Sequence, residues 1–337
     1  MKNRGWYLEK PKVLNLKDMP MPEPKENEVL IKIAANGICG SDIHYYLDGK
    51  VGGDVFDRPY VPGHEASGTI AGVAKGCKDI KEGDRVTIEP GIPCGVCDLC
   101  KQGRYNVCYD MHFLSSCPIN GTFCEYITLP YRFAFKIPDR LSLEDASLAE
   151  PAAVGLQAVK QARSNLYGLT GIIVGAGPIG LMTLQAFKAA GGGVAISVDH
   201  LDNRLEVAKN LGADVVCKHL DPRLQMAGDI VFECAGDNDA TKALLGYAKR
   251  GATIVQVGWP QDVHVPLDID TILRKEVYYA GLYRYANCYD AVVTWLGDGR
   301  IKSDGFITHR FPFDECDKAF EFASYNKEIA IKTVVLS

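Results

Sequence analysis

What this chain lacks narrows its roles before any motif is read. It lacks the basic excess of a nucleic-acid binder. Its 37 Lys and Arg stand against 42 Asp and Glu, a net charge of −5. That leaves no electrostatic footprint for a polyanion or an anionic membrane surface. The first residues, MKNRGWYLEKPKVL, lack the apolar core of a signal peptide, so a cytoplasmic protein is expected. A long unbroken apolar run is missing too. Ser164 to Phe187 carries no charge, but Gly168, Gly171, Gly175, Gly177, Pro178 and Gly180 interrupt it. The stretch therefore predicts strand, turn and helix rather than a membrane span. Repeats and low-complexity segments are absent. The adjacent pair His64-Glu65 also lacks the second histidine of a zincin helix, because Gly68 stands there.

What is present is an ordinary globular composition, 47% hydrophobic and 23% charged over 337 residues. That length suits two domains with real cores. The first 150 or so residues read as short strands separated by glycine and charge, as in EVLIKIAANGICG, ASGTIAGVAKGC and DRVTIEP. The texture changes near Leu143. Strands such as GIIV, VAISVD, DIVFEC and ATIVQVG then alternate with helical segments, which predicts a parallel sheet of βαβ units. Asp202 is placed as the cap of one helix and Gly212 as its stop. The segment KHLDPRLQMAG, between two of these strands, is too short for a full crossover helix. A helix over 289–298, another from Asp314 and a last strand AIKTVVL follow.

VGAGPIG supplies Gly175, Gly177 and Gly180 in a Gly-x-Gly-x-x-Gly pattern. It follows a strand and opens a helix, and Asp199 closes the next strand nineteen residues after Gly180. That context makes the pattern a dinucleotide fingerprint. The glycines allow a tight turn, close approach of the pyrophosphate and close helix–strand packing, while the helix N-terminus offers free N–H groups. Asp199 would accept from the adenosine ribose and repel a 2′-phosphate, favouring NAD; Arg204 nearby tempers that preference.

Twelve cysteines without a secretion signal do not predict a disulfide framework. Cys94, Cys97, Cys100 and Cys108 are spaced Cys-x2-Cys-x2-Cys-x7-Cys. Four thiolates so spaced form a closed tetrahedral zinc site, which is structural. The bacterial ferredoxin run has a last gap of three followed by proline; here the gap is seven and Tyr109 follows. Cys39, His64 and Glu150 are scattered, and each has an ordinary structural reading: a buried thiol, a satisfied histidine, a helix-start acid.

Together these motifs resemble the zinc-dependent medium-chain dehydrogenase/reductase family over essentially the whole chain. The resemblance rests on GICGSDIH, PGHEASGTIAGVAKGCKDIKEGDRV, the four-cysteine lobe, AEPAAVGLQA and VGAGPIG, in that order. Within the family the chain is most similar to the polyol dehydrogenases (sorbitol, L-iditol and xylitol). Tyr45 follows CGSDIH, Glu150-Pro151 stands where alcohol dehydrogenases carry a cysteine, and Arg284-Tyr285 matches a substrate-binding pair. The four-cysteine lobe, absent from mammalian sorbitol dehydrogenases, points to microbial relatives.

The resemblance implies an α/β architecture. A GroES-like β-rich catalytic domain would comprise 1–146 and 286–337, with the zinc lobe near 90–110. A Rossmann domain with a doubly wound parallel sheet would span 147–285, and the active site would lie in the cleft. It implies that Cys39, His64 and Glu65 hold a catalytic zinc with a water, and that Glu150 binds that water or exchanges in as a ligand. Ser41 and His44 would relay the proton. Tyr45, Glu150, Arg284 and Tyr285 would contact a polyol. Gly175, Gly177, Pro178, Ile179, Gly180, Asp199, Arg204, Val257, Gly258, Trp259, Leu282, Tyr283 and Arg284 would line the NAD site. A homotetramer, or a homodimer, is implied, with no nucleic-acid or membrane partner.

The implied reaction is reversible oxidation of a secondary alcohol of a polyol to a ketose, with zinc as Lewis acid and hydride passing to NAD+. A threonine 3-dehydrogenase or a 2,3-butanediol dehydrogenase would share the scaffold. A non-catalytic NAD-binding relative would be expected to lack Cys39 or His64; both are present.

Overall fold

The computed structural model describes residues 2–162, 165–260, 262 and 264–337; Ser164, at the head of the uncharged stretch, falls outside them. The chain divides into two compact units. One comprises 1–150, 289–298 and 303–337, the other 151–288 and 299–302. The first division thus lies four residues beyond the expected one and cuts helix Ala149–Lys160 just after Glu150.

The first unit is built on a seven-stranded sheet. Strand Glu28–Gly37 lies at its centre, antiparallel to Glu65–Val73 on one side and to Lys332–Leu336 on the other. Strand Glu28–Gly37 alternates buried Val29, Ile31 and Ile33 with less buried neighbours, the period of two expected of a pleated strand with one face on a core. That core adds Trp6, Leu8, Tyr60, Val86, Phe123 and Phe320. Because the last strand of the chain pairs with a central early one, the C-terminal segment completes this unit rather than hanging from it.

The second unit carries a six-stranded sheet, all parallel. Its strands are Gly171–Val174, Ala195–Val198, Val215–Cys217, Gly228–Glu233, Ala248–Gln256 and Tyr278–Gly281. Their order across the sheet is third, second, first, fourth, fifth, sixth, the doubly wound order that leaves a ligand crevice at the carboxyl ends beside the first strand. The first two strands are buried along their whole length, as they must be with helices on both faces. KHLDPRLQMAG crosses back with only a 3-10 turn, Pro222–Leu224, capped by Asp221 on the Arg223 N–H at 2.8 Å.

Two local expectations change. Asp202 is the first residue of its helix, and Leu201 occupies the cap position. The Leu201 N–H is already taken by Asp199 Oδ1 at 3.0 Å, and Asp202 pairs with Lys218 at 2.8 Å instead. The last helix is Cys316–Tyr325, preceded by a 3-10 turn over Phe313–Glu315.

Candidate metal and dinucleotide sites

In the first unit, strand register gathers the scattered residues. Glu65 opens its strand directly opposite Gly37, two residues before Cys39. A Cβ on Gly37 would lie 2.2 Å from Glu65 Oε2, so only glycine leaves room for that carboxylate. Cys39 then starts helix Gly40–Asp48, where its N–H is accepted by Asp42 Oδ2 at 3.0 Å. Asp42 Oδ1 takes the Gly63 N–H at 3.1 Å and the Ser115 hydroxyl at 3.1 Å, and lies 3.7 Å from His64 Nδ1. One fully buried carboxylate therefore ties the Cys39 turn to the His64 turn.

The outcome is a compact donor set. The Cys39 sulfur, a His64 nitrogen and a Glu65 oxygen all lie within 4.8 Å of one another, with His64 and Glu65 buried. Glu150, in the first turn of its helix, is also buried. It stands outside that tight group, yet its charge acts on both His64 and Lys332. Lys332 completes the centre. Its ammonium donates to both Glu65 oxygens at 2.7 Å and to the Ile38 carbonyl at 3.2 Å.

These charges fit a divalent cation. Burial pushes the His64 imidazole down, but Asp42, Cys39 and Glu150 outweigh it and hold it well above its ordinary range. Burial likewise opposes the Lys332 ammonium, and Glu65, Cys39 and Glu150 keep it charged. A site that attracts protons this strongly from surrounding anions would take a metal ion in place of the histidine proton. Sulfur, nitrogen and oxygen at one centre suit zinc, with a position open for exchange.

Of the other residues expected here, Tyr45 is buried and packs edge-on against Phe56 and Tyr60. Ser41 and His44 sit one turn apart on one face of the helix. His44 is exposed, with Asp48 Oδ2 3.6 Å from its Nδ1. Asp42, Gly37 and Lys332 were not singled out from the sequence. Asp42 had a legible signal, its position three residues after the helix-cap residue. Lys332 had none, standing 267 residues from Glu65.

The four-cysteine lobe is a second centre. Sulfur–sulfur separations are 3.5 Å for Cys94–Cys108, 3.9 Å for Cys97–Cys108 and 4.0 Å for Cys94–Cys100. Four sulfurs around a tetrahedral zinc with bonds of about 2.3 Å would stand about 3.8 Å apart. Backbone N–H groups of Val96 and Cys97 lower the Cys94 thiol, and that of Cys100 lowers Cys97 to about 6. The short helix Asp98–Lys101 buries nothing, and Val96 and Tyr109 are exposed. With so little apolar packing, a metal ion on the four sulfurs would supply the cross-link that side-chain burial does not.

In the second unit the glycine turn follows its buried strand. Gly175 has φ +95°, and a Cβ on Gly180 would fall 1.7 Å from the Gly175 carbonyl oxygen. Gly177 is the helix cap and Pro178 the first residue, so Ile179 and its neighbours begin the helix with N–H groups unused. Around Gly177 the nearest side chain is Arg204, 3.8 Å from where a Cβ would sit. That space suits a phosphate. Asp199 is buried; its Oδ2 accepts from the Ala176 N–H at 2.8 Å and lies 3.6 Å from the Arg204 guanidinium. The carboxylate therefore braces the glycine turn while retaining lone pairs for a ribose. Beyond the fifth strand, Val257 is buried and Trp259 exposed. After the sixth strand and Leu282, Tyr283 meets Trp259 edge-on at 6.3 Å, and the Arg284 guanidinium covers the Tyr283 ring at 4.8 Å. Tyr285 is buried.

Comparison with known proteins agrees with this anatomy. Residues 25–139 match the alcohol dehydrogenase GroES-like domain, and residues 178–298 match the zinc-binding dehydrogenase domain. The chain is 38% identical to the sorbitol dehydrogenase of Bacillus subtilis, covering 96% of this chain and 94% of that protein. It is 36% identical to the D-xylulose reductase of Saccharomyces cerevisiae, covering 97% and 96%. A solved Escherichia coli oxidoreductase/dehydrogenase of unknown specificity, involved in membrane biogenesis, superposes with a TM-score of 0.95 at 37% identity over 100% of this chain and 99% of that one. The chain belongs to the zinc-binding alcohol dehydrogenase family, with a GroES-like domain and a Rossmann domain.

Proposed function

We propose that this enzyme carries out the reversible oxidation of a secondary alcohol in a polyol of the sorbitol, L-iditol or xylitol type, with NAD+ as hydride acceptor. The observation that carries the reading is the convergence of Cys39, His64 and Glu65 on one point, with Glu150 charged nearby. The relatives named sorbitol dehydrogenase and D-xylulose reductase support the polyol as substrate class.

Cys39, His64 and Glu65 would hold the catalytic zinc. Bound there, zinc supplies Lewis-acid polarisation of the substrate oxygen. Glu150 would hold a water or the substrate hydroxyl in place, or serve as a further zinc ligand. Ser41 and the exposed His44 pass the hydroxyl proton outward, since the alcohol loses one proton and one hydride in becoming a ketone. Tyr45, Arg284 and Tyr285 bind the remaining hydroxyls; the guanidinium fork addresses two at once. NAD rests on Gly175, Gly177, Pro178, Ile179 and Gly180, with Asp199 on the adenosine ribose and Arg204 beside it. Val257, Gly258, Trp259, Leu282, Tyr283 and Arg284 line the rest. The lobe cysteines hold a structural zinc.

We place the enzyme in the cytoplasm as a homo-oligomer, a tetramer or a dimer. None of the twelve cysteines, all among the described residues, forms a disulfide, which suits a reducing compartment. No described helix is long and apolar enough to cross a membrane. Strand Tyr278–Gly281 is an edge of its sheet with Tyr278 exposed on it, and Ile269 and Leu273 are exposed on the preceding helix Ile269–Lys275. Edges of this kind invite a second strand.

The test is a panel of sorbitol, xylitol, threonine and 2,3-butanediol with NAD+ and NADP+, followed by reduced-cofactor absorbance. Polyols with NAD+ should lead; faster turnover of threonine or butanediol would replace the substrate assignment. Glu150→Ala should lower kcat on the order of a hundredfold while leaving the NADH dissociation constant unchanged. Full turnover in that variant removes Glu150 from the mechanism.

A further inference from the structure

Glu233 ends the fourth strand of the Rossmann sheet, and its carboxylate is fully buried. Among the described residues no Lys, Arg or His lies within ion-pair distance of it. Its partners are neutral donors instead. Oε1 accepts from the Ala235 and Gly236 N–H groups, each at 3.0 Å, and Oε2 accepts from Gln256 Nε2 at 2.8 Å. The Gln256 amide is itself fixed, donating to the Gly258 carbonyl at 2.8 Å and accepting the Tyr279 hydroxyl at 2.6 Å. The Glu233 carbonyl takes the N–H groups of Val257 and Gly258 at 2.8 and 2.9 Å. One residue thus holds the ends of two strands through both its carboxylate and its backbone.

The packing around it leaves no slack. A Cβ on Gly258 would lie 2.3 Å from the Gly236 nitrogen and 2.6 Å from Glu233 Oε2; one on Gly236 would lie 2.4 Å from the Trp259 carbonyl oxygen. One on Gly175 would lie 2.7 Å from the Ala235 nitrogen. Three turns at the carboxyl ends of the first, fourth and fifth strands are therefore stacked backbone on backbone, and the Glu233 carboxyl group, its pKa raised by burial, sits at their centre. A buried carboxylate without a counter-cation is costly, and an apolar residue would pack at less expense. At the ligand-binding end of the sheet, such a group is placed to fix the turns whose donors it binds.

The sheet order says which half of the cofactor it serves. Asp199 directly follows the second strand, on one side of the first; Glu233 ends the fourth and Gly258 lies two residues past the fifth, on the other. A dinucleotide whose adenosine lies at Asp199 and whose pyrophosphate lies at Gly177 must extend its nicotinamide half over the fourth and fifth strands. We propose that Glu233 is a positioning residue for the nicotinamide half of the cofactor, acting through the Ala235–Gly236 and Val257–Gly258 turns that it ties together. This rests on the reading of the second unit as an NAD site.

The test compares NADH with ADP-ribose, which keeps the adenosine and pyrophosphate but has no nicotinamide. In the full-length, zinc-loaded enzyme, Glu233→Ala should weaken NADH about tenfold or more, as expected for losing two or more buried hydrogen bonds. ADP-ribose affinity should stay within about twofold of wild type. Glu233→Gln keeps one acceptor for Ala235 and Gly236 and should fall between. If the alanine variant does not fold, Gln256→Leu, which removes the other side of the tie, should give the same split. Wild-type NADH affinity in a folded Glu233→Ala variant overturns the proposal, as does equal loss of NADH and ADP-ribose. Failure of the wild-type chain to bind NADH at all overturns the NAD reading, and this proposal with it.

Discussion

Glu65 and Lys332 form a pair with side chains almost wholly excluded from water. In the metal-free chain, removing the cation would strand a buried carboxylate, which typically costs about 3–5 kcal/mol. A zinc ion beside Glu65 would supply much of the missing charge. Lys332→Met should therefore lose about 3 kcal/mol or more of stability after metal chelation, and distinctly less when zinc is present. Urea melts of the variant with and without a strong chelator measure the difference; equal losses in both would separate Lys332 from the metal centre. Glu65 itself was legible as an odd neighbour of His64, but whether it served as ligand or support could not be read from a strand on which adjacent residues face opposite ways. The register opposite Gly37 puts its carboxylate within reach of both Cys39 and Lys332.

At the scale of elements, the zinc lobe is joined to the sheet by a polar contact. The Tyr105 hydroxyl donates to Glu89 Oε1 at 2.8 Å, and Glu89 is buried just past strand Arg85–Ile88. Burial raises the Glu89 carboxyl to about 7, with Asp290 adding to the rise and the Tyr105 hydrogen bond opposing it. The unfolded chain releases this proton near the ordinary value of 4.5. Between those two values the folded state binds the extra proton, so stability falls as pH rises through the window and the loss is complete above about 7. Glu89→Gln should therefore stabilise the enzyme at about pH 8, by at most about 3 kcal/mol, and give no gain at about pH 4. Thermal melts across that range check the sign; a gain confined to low pH would refute it. The elements themselves were largely legible: helix Tyr289–Asp298 lies where its pattern put it. The misplacements were local. Leu201 took the cap because Asp199 had already engaged its N–H, a choice made by the neighbouring turn and not by the residue at the cap.

For the molecule as a whole, the lobe cysteines belong to one compact unit and the glycine turn to the other. Sites without shared partners respond independently. Metal analysis should find two zinc ions per chain, and Cys94→Ser should leave one. That variant should lose thermal stability while its NADH affinity stays within about twofold of wild type. Two zinc ions retained in Cys94→Ser would overturn the structural-site assignment.

The sequence by itself determined the two-part plan, the dinucleotide turn and the four-cysteine lobe. Each is encoded in local spacing: period-two strands, a Gly-x-Gly-x-x-Gly turn between a strand and a helix, cysteines close enough along the chain to share one ion. What only the tertiary structure decided are the partners brought in from afar. Lys332 meets Glu65 because the last strand pairs with Glu28–Gly37, and Glu233 meets Gln256 because parallel strands align their carboxyl ends. Hydrogen-bond register across a sheet sets those meetings, and it leaves no trace in the spacing of the residues it joins.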